Sequence, residues 1–107
     1  MSHSGKYRRR ITIQQPVESA ASASGETTLS WVPLDVVWAE VLERGSREVY
    51  RAQQVNPEVT VAFNIRYRSD VTADMRVTWD GRTFHLGGPP IPDARHTETT
   101  LHCVEQA

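Results

Sequence analysis

The sequence contains one cysteine, Cys103, among its 107 residues. A single cysteine permits neither an intramolecular disulfide nor a zinc site built on several cysteines. We expect Cys103 to serve as a small apolar side chain in the last strand.

Long apolar runs and an excess of either charge are also absent. No stretch approaches the roughly 18 to 20 apolar residues of a membrane span, and the N-terminal MSHSGKYRRR lacks the apolar core of a secretory signal. Twelve Lys and Arg residues balance 13 Asp and Glu residues, whereas nonspecific coating of nucleic acid usually needs a strong basic excess. These absences predict a chain that is made in a cytoplasm and has no membrane partner.

The residues that carry chemistry form no catalytic or metal-binding pattern. Asp70, Asp74 and Asp80 lie close together in the sequence but lack the spacing of a calcium loop. His102 and Cys103 are neighbours on one predicted strand, so their side chains point to opposite faces and cannot pair as base and nucleophile. A glycine-rich phosphate loop is absent. We therefore predict that the protein is not an enzyme and holds no metal or cofactor.

A β-hairpin is predicted to turn at Asp80-Gly81. Both residues tolerate the positive φ that a tight two-residue turn requires. The turn sets the register so that Val77 faces Phe84, and it gathers the apolar side chains of the two strands on one face. That face consists of Met75, Val77, Trp79, Phe84 and Leu86.

Alternation of apolar and polar residues predicts the other strands. The first covers Arg10–Gln14, and a β-branched run predicts a second at Val36–Val41. Val59–Tyr67 alternates strictly, with Ala62 on its polar side, and Glu98–Val104 is the last strand. The residues predicted to hold the core are Ile11, Ile13, Val61, Phe63, Val77 and Phe84.

A short helix is predicted between the second and third strands. Ser46 stands where a helix N-cap is expected, and the helix should cover Arg47–Gln54. It should end before Asn56-Pro57, because the residue before a proline avoids the helical region.

Two long segments and the N-terminus are predicted to lack regular structure. Residues 18–30 are rich in Ser, Ala and Gly, and residues 87–96 begin with GGPPIPD, so both should be mobile loops. Residues 1–7 are expected to be flexible. Loops of this length are unusual in a small domain and are often functional.

These elements predict an all-β fold. Residues 1–107 are expected to form a single small β-barrel-like domain of about five to six antiparallel strands, with one short helix in the middle connection. The length is about that of one domain and allows one modest core.

Several phrases of the sequence together resemble a known family. They are RRRITIQ, VWAEV followed by REVYRAQQV, NIRYR, DVTADMRVTWDGRTFHL and the closing LHCVE. In this order and spacing they resemble the phage head-tail joining family, also called head-closure or head-completion proteins. The resemblance covers Arg8 to Glu105.

The resemblance implies a structural neck protein of a tailed phage, located in the virion and made in the bacterial host cytoplasm. Such a protein would form a ring of twelve copies on the portal or adaptor side of the head. It would join head to tail and help retain the packaged double-stranded DNA that passes through the ring. The implied partners are portal or adaptor ring proteins, tail-side neck or tail proteins, and other copies of the chain.

Two sets of residues are candidates for contacts. The predicted helix supplies a set for contacts between subunits, since Arg and Tyr are enriched at interfaces, although an ordinary exposed helix would look the same. That set is Arg47, Glu48, Tyr50, Arg51, Gln53 and Gln54. Arg66 and Arg68 are candidates for a DNA-channel or partner contact, with the plain outward face of a half-buried strand as the simpler interpretation.

A different class of function remains as an alternative. A small β-barrel can bind single-stranded nucleic acid, here with Tyr67, Trp79 and Phe84 as stacking platforms beside Arg66 and Arg82. This alternative needs those aromatic side chains to be exposed. The hairpin register instead favours core packing for Trp79 and Phe84.

Overall fold

A computed structural model describes residues 6–18 and 28–106. The helix and strands in these two ranges, in chain order, are β1 (Arg9–Glu18), β2 (Leu29–Glu43), α1 (Arg47–Val55), β3 (Val61–Arg66), β4 (Arg76–Trp79), β5 (Arg82–Leu86), β6 (Ile91–Pro92) and β7 (Glu98–Glu105). No helix within the described ranges is long and apolar enough to cross a membrane.

Six of the strands close into an antiparallel barrel. β1 is paired with β2 on one side and with β4 on the other, and the circuit returns from β2 through β3, β7 and β5 to β4. The short β6 adds to the first half of β7. Because β3 pairs with both β2 and β7, every strand of this circuit has two neighbouring strands. The predicted all-β barrel with one short helix is confirmed.

The barrel interior holds the predicted core. Ile11, Ile13, Val61, Phe63, Val77 and Phe84 are all at most 2% exposed. The rings of Phe63 and Phe84 meet edge to face, with centroids 5.3 Å apart, a favoured aromatic geometry. Cys103 is also buried, as predicted, and its burial raises the pKa of the thiol.

The hairpin between β4 and β5 forms as predicted. Asp80 and Gly81 both have positive φ, 53° and 74°, and Val77 is paired with Phe84. A turn with two positive φ angles twists in the same sense as the flanking strands. Local backbone preference therefore sets the register that places Phe84 in the core.

Helix α1 begins where the sequence predicts and ends one residue later, at Val55. The Ser46 hydroxyl accepts a hydrogen bond from the Val49 amide at 3.2 Å, which caps the first turn. Val49 and Ala52 pack on Ala62. The expectation that Ala62 lies on a polar outer side is wrong, because the helix covers that part of the barrel surface.

The first two strands are much longer than predicted. β1 continues to Glu18 and β2 begins at Leu29, so the predicted loop at residues 18–30 was too wide at both ends; residues 19–27 of that loop lie outside the described residues. β1 and β2 continue to pair with each other after Gln14, which is the last residue of β1 that pairs with β4. The backbone hydrogen bonds between the two strands do not require a buried face. The composition of residues 18–30 therefore did not indicate how far the strands extend.

The proline in β2 is accommodated by an irregularity. Ile13 is paired with Asp35 and Gln14 with Pro33, so the pairing skips Leu34. Such a bulge is one of the few places where a strand tolerates proline. β2 therefore continues through Pro33 and begins at Leu29, seven residues before the predicted start at Val36.

The predicted disorder at the N-terminus and at residues 87–96 needs two further corrections. Tyr7 is 8% exposed, and its hydroxyl donates to Glu98 at 2.7 Å. The Lys6 ammonium lies 2.8 Å from the same carboxylate, so the last part of residues 1–7 is packed on the barrel. Residues 1–5 lie outside the described part of the chain. Within residues 87–96, β6 pairs Ile91 with Thr100.

Arg68 links β2 to the segment after β3, at a level where these two strands no longer pair. The Arg68 guanidinium, just after β3, donates to Asp70 and to Asp35, which lies beside the bulge of β2. These hydrogen bonds hold the pKa of Asp35 and that of Asp70 below the ordinary range. They join two segments that have no strand pairing at this level.

We predict that Gly87→Ala destabilises the protein, whereas the neighbouring Gly88→Ala does not. A Cβ at Gly87 would lie 3.0 Å from the Asn56 side chain and 3.2 Å from that of Val59, whereas a Cβ at Gly88 meets nothing within 4 Å. Overpacking of this kind typically costs about 1–3 kcal/mol. Urea unfolding of both variants measures the difference, and equal stability of the two would contradict the close packing at Gly87.

We predict that Arg68→Gln lowers the free energy of unfolding at neutral pH and has no effect in strong acid. The carboxyls of Asp35 and Asp70 have lowered pKa values in the folded state. Their contribution is therefore complete above the unfolded pKa of about 4 and is lost as the pH falls through the folded values. Urea unfolding at a series of pH values measures this, with Arg95→Gln as the control. A difference that persists below about pH 2 would contradict the ion-pair explanation.

Candidate interaction surfaces

The outward side of α1 forms an exposed stripe. Arg47, Tyr50, Arg51 and Gln54 follow the three- and four-residue spacing of one helix face. All four are exposed, Tyr50 to 65%. The stripe faces away from the barrel because Val49 and Ala52 occupy the opposite side. We call these four residues the α1 stripe.

The other two predicted contact residues of the helix are engaged within the chain. The Glu48 carboxylate lies 2.7 Å from His102 Nε2 in β7. The Gln53 side chain donates to the Val59 carbonyl at 2.8 Å. Both hold the helix on the barrel. Nothing near Glu48 in the sequence signals its partner, since His102 is 54 positions away.

The charges of the α1 stripe are not compensated locally. In the part of the chain that the structure describes, neither Arg47 nor Arg51 has a carboxylate within ion-pair distance. A tyrosine between two such arginines has the composition that protein interfaces favour. The stripe can therefore supply both apolar area and hydrogen-bond donors to a partner.

The structure separates the two arginines predicted for a DNA or partner contact. Arg68 is bound to Asp35 and Asp70, so its charge is neutralised within the chain. Arg66 lies over the ring of Tyr7, 5.6 Å from its centroid, and its side chain is exposed. Of the two, Arg66 is the one available to a partner.

A further exposed aromatic residue lies near Arg66, and the sequence analysis did not assign it to a contact site. Trp38 points outward from β2 and is 52% exposed. The Arg10 guanidinium lies 5.0 Å from its ring centroid. The register could have revealed the direction, because Val37 pairs with the buried Ile11 and so faces inward.

A recess lies between the end of α1 and the loop after β5. It has a volume of about 260 Å³, and Asn56 donates to the Gly87 carbonyl across its floor. The apolar side chains lining it include Val55, Val59 and Ile91. Val55 is almost fully exposed at the end of the helix.

The three aromatic residues of the nucleic-acid alternative do not form a stacking surface. Phe84 is fully buried, and Trp79 packs edge to face on Phe63 with centroids 6.1 Å apart. Tyr67 is 39% exposed and lies against His96. Stacking of successive bases needs exposed ring faces, and this set does not provide them.

Titratable residues in the described ranges do not gather into a metal-binding group. Among residues 6–18 and 28–106, no cluster of three or more His, Cys, Asp or Glu is placed to hold an ion. The surfaces described above are suited to contact with other macromolecules.

Two solved structures show the same architecture. Protein SF1141 from Shigella flexneri 2a has a TM-score of 0.78 and 32% sequence identity, over 96% of this chain and 96% of that chain. A chain in the virion of the native gene transfer agent particle has a TM-score of 0.61 and 20% identity, over 92% of this chain and 94% of that chain. At this lower identity the second likeness shows the fold alone. No curated protein matches the sequence significantly.

A family comparison covers nearly the whole length. Residues 3–106 match the family described as phage head completion protein. The match includes every strand of the barrel and the α1 stripe. It agrees with the resemblance carried by the sequence phrases from Arg8 to Glu105. This chain belongs to the phage head completion protein family, the structural proteins of the phage head-tail region.

Proposed function

We propose that this chain is a structural neck protein that forms a ring on the portal or adaptor side of a phage-type head. In that position it joins head to tail and helps retain the packaged DNA. The match of residues 3–106 to the head completion family is the observation that carries the proposal. The closed barrel with exposed contact surfaces and no metal-binding cluster in the described ranges supports a structural role.

The α1 stripe is the surface that we assign to contacts between copies. A ring of identical copies requires head-to-tail contacts, in which one surface of a copy meets a different surface of the next. Tyr50 supplies exposed apolar area, and Arg47 and Arg51 supply uncompensated positive charge. We expect twelve copies in the ring, as in the family. Glu48 and Gln53 hold the helix in place rather than reaching the neighbour.

The other partners follow from the position of the ring. Portal or adaptor proteins lie on the head side, and neck or tail proteins lie on the tail side. Double-stranded DNA passes through the centre. Arg66 is the predicted DNA or partner contact that the structure leaves accessible, since Arg68 is neutralised by two aspartates. The protein is made in the host cytoplasm and functions in the virion without catalysis.

Addition of the purified protein to heads that lack it should place a ring at the portal vertex. Electron microscopy of heads with and without the protein measures this, and a joining assay with purified tails measures the gain in complete particles. Heads that remain unchanged and join tails equally well in its absence would contradict the proposed function.

We predict that Arg47→Glu combined with Tyr50→Ala lowers joining by at least about tenfold, a loss of about 1.4 kcal/mol of contact energy. Both side chains are exposed, so the free energy of unfolding should change by less than about 0.5 kcal/mol per site. The same two substitutions elsewhere on the surface, Arg95→Glu with Tyr67→Ala, serve as the matched control. Wild-type joining by the helix variant would show that the α1 stripe is not the subunit contact.

A further inference from the structure

The outer face of β2 carries an apolar area that nothing in the described chain covers. Val36 and Trp38 are two residues apart and therefore point to the same side of the strand. They are 50% and 52% exposed. Other parts of the barrel surface are covered, one by α1 and another by Lys6 and Tyr7. Single exposed apolar residues are normal, but an exposed tryptophan beside a second apolar residue is typical of binding sites.

Two uncompensated cations flank this area. Arg10 lies over the Trp38 ring, and Arg66 lies at its other side. Neither guanidinium has a carboxylate within ion-pair distance among residues 6–18 and 28–106. Arg68, next to Arg66, has two carboxylate partners, and Arg82 is bound to Glu105. Arg10 and Arg66 therefore keep their positive charge beside this area, whereas the charge of Arg68 is offset by two aspartates.

A recess opens beside the tryptophan. Its volume is about 300 Å³, and Val37, Trp38, Arg66 and Arg68 line it. The two ion pairs of Arg68 hold one wall in a fixed position. The lining is mainly apolar, Arg66 contributes the one lining charge that has no carboxylate partner among the described residues, and the volume is at the small end of ligand sites. It suits one apolar side chain that is accompanied by negative charge.

The neighbouring strand edge is unsuited to pairing with another strand. β2 pairs with β3 only from Ala39 onward, so its earlier residues have one open edge. Pro33 removes a backbone donor there, and the bulge at Leu34 interrupts the regular geometry. Contacts at this face therefore depend on side chains.

Most carboxylates within residues 6–18 and 28–106 are engaged by other side chains of this chain. They are Asp35 and Asp70 with Arg68, Glu40 with Asn64, Glu43 and Glu105 with Arg82, Glu48 with His102, Asp74 with Thr72, Asp93 with Thr97, and Glu98 with Lys6 and Tyr7. A second copy would therefore offer few free carboxylates to this face. A DNA backbone would offer negative charge but would gain nothing from burial of Val36 and Trp38.

We propose that Arg10, Val36, Trp38 and Arg66 bind an acidic segment of another virion protein. An apolar side chain of that segment enters the recess, and its carboxylates meet the two guanidinium groups. Charge-assisted hydrogen bonds from arginine to carboxylate supply orientation, and the half-exposed indole supplies apolar area. This inference rests on the proposed function, since it takes the neighbours to be virion proteins.

The first test uses a photo-crosslinking phenylalanine analogue at Val36 in particles purified from producing cells. Mass spectrometry of the crosslinked peptide should identify an acidic segment of a different virion protein. A matched probe at Arg95, on an exposed loop, should not capture that segment. Crosslinks only to another copy of this chain, only to DNA, or to nothing would overturn the proposal. Absence of the wild-type chain from the particles would instead overturn the proposed function.

The second test covers the case in which the probe blocks incorporation. Arg10→Glu combined with Arg66→Glu should reduce incorporation into particles at least tenfold, and Trp38→Ala should act in the same direction. Arg95→Glu should remain within twofold of wild type. Urea unfolding checks that each variant is folded before incorporation is compared. Incorporation of the double variant at the wild-type level would overturn the proposal.

Discussion

Closure of the barrel is the constraint on which the other features depend. β1 is bonded to both β2 and β4, and β3 is bonded to both β2 and β7, so every strand of the circuit has two neighbours. A chain without a disulfide is held by this ring of backbone bonds around the core of Phe63 and Phe84. Closure turns one face of every strand inward. The opposite faces become an outer surface that other segments cover or leave open.

The outer surface is divided into covered and open parts. Helix α1 covers Ala62, and the segment of Lys6 and Tyr7 lies against Glu98 and Arg66. The face that presents Trp38 is open among the described residues. Among the arginines of the described ranges, Arg68 and Arg82 have carboxylate partners, whereas those of the α1 stripe and of the Trp38 face have none. Uncompensated charge beside exposed aromatic area is what makes these two surfaces suited to partners.

The candidate contact residues were predictable only in part. The helix residues were chosen by residue type, and the spacing of Arg47, Tyr50 and Arg51 on one exposed face is a pattern that can be read from adjacent turns. The same pattern could not reveal that Glu48 meets His102, since that contact depends on how the helix lies on β7. Arg68 looked equivalent to Arg66 in an alternating strand. Its two aspartate partners become neighbours only when β2 folds past the end of β3.

The sequence by itself determined the elements whose cause is local. Alternation defined the buried faces of β1 and β3, Asp80-Gly81 defined the hairpin register, and Ser46 defined the start of the helix. The tertiary structure decided the length of β1 and β2, the bulge that admits Pro33, and the exposure of Trp38. These features depend on which distant strands pair and in what register. Periodicity and backbone preference act over a few adjacent residues, whereas ladder bonds and ion pairs join segments that are brought together only by closure of the barrel.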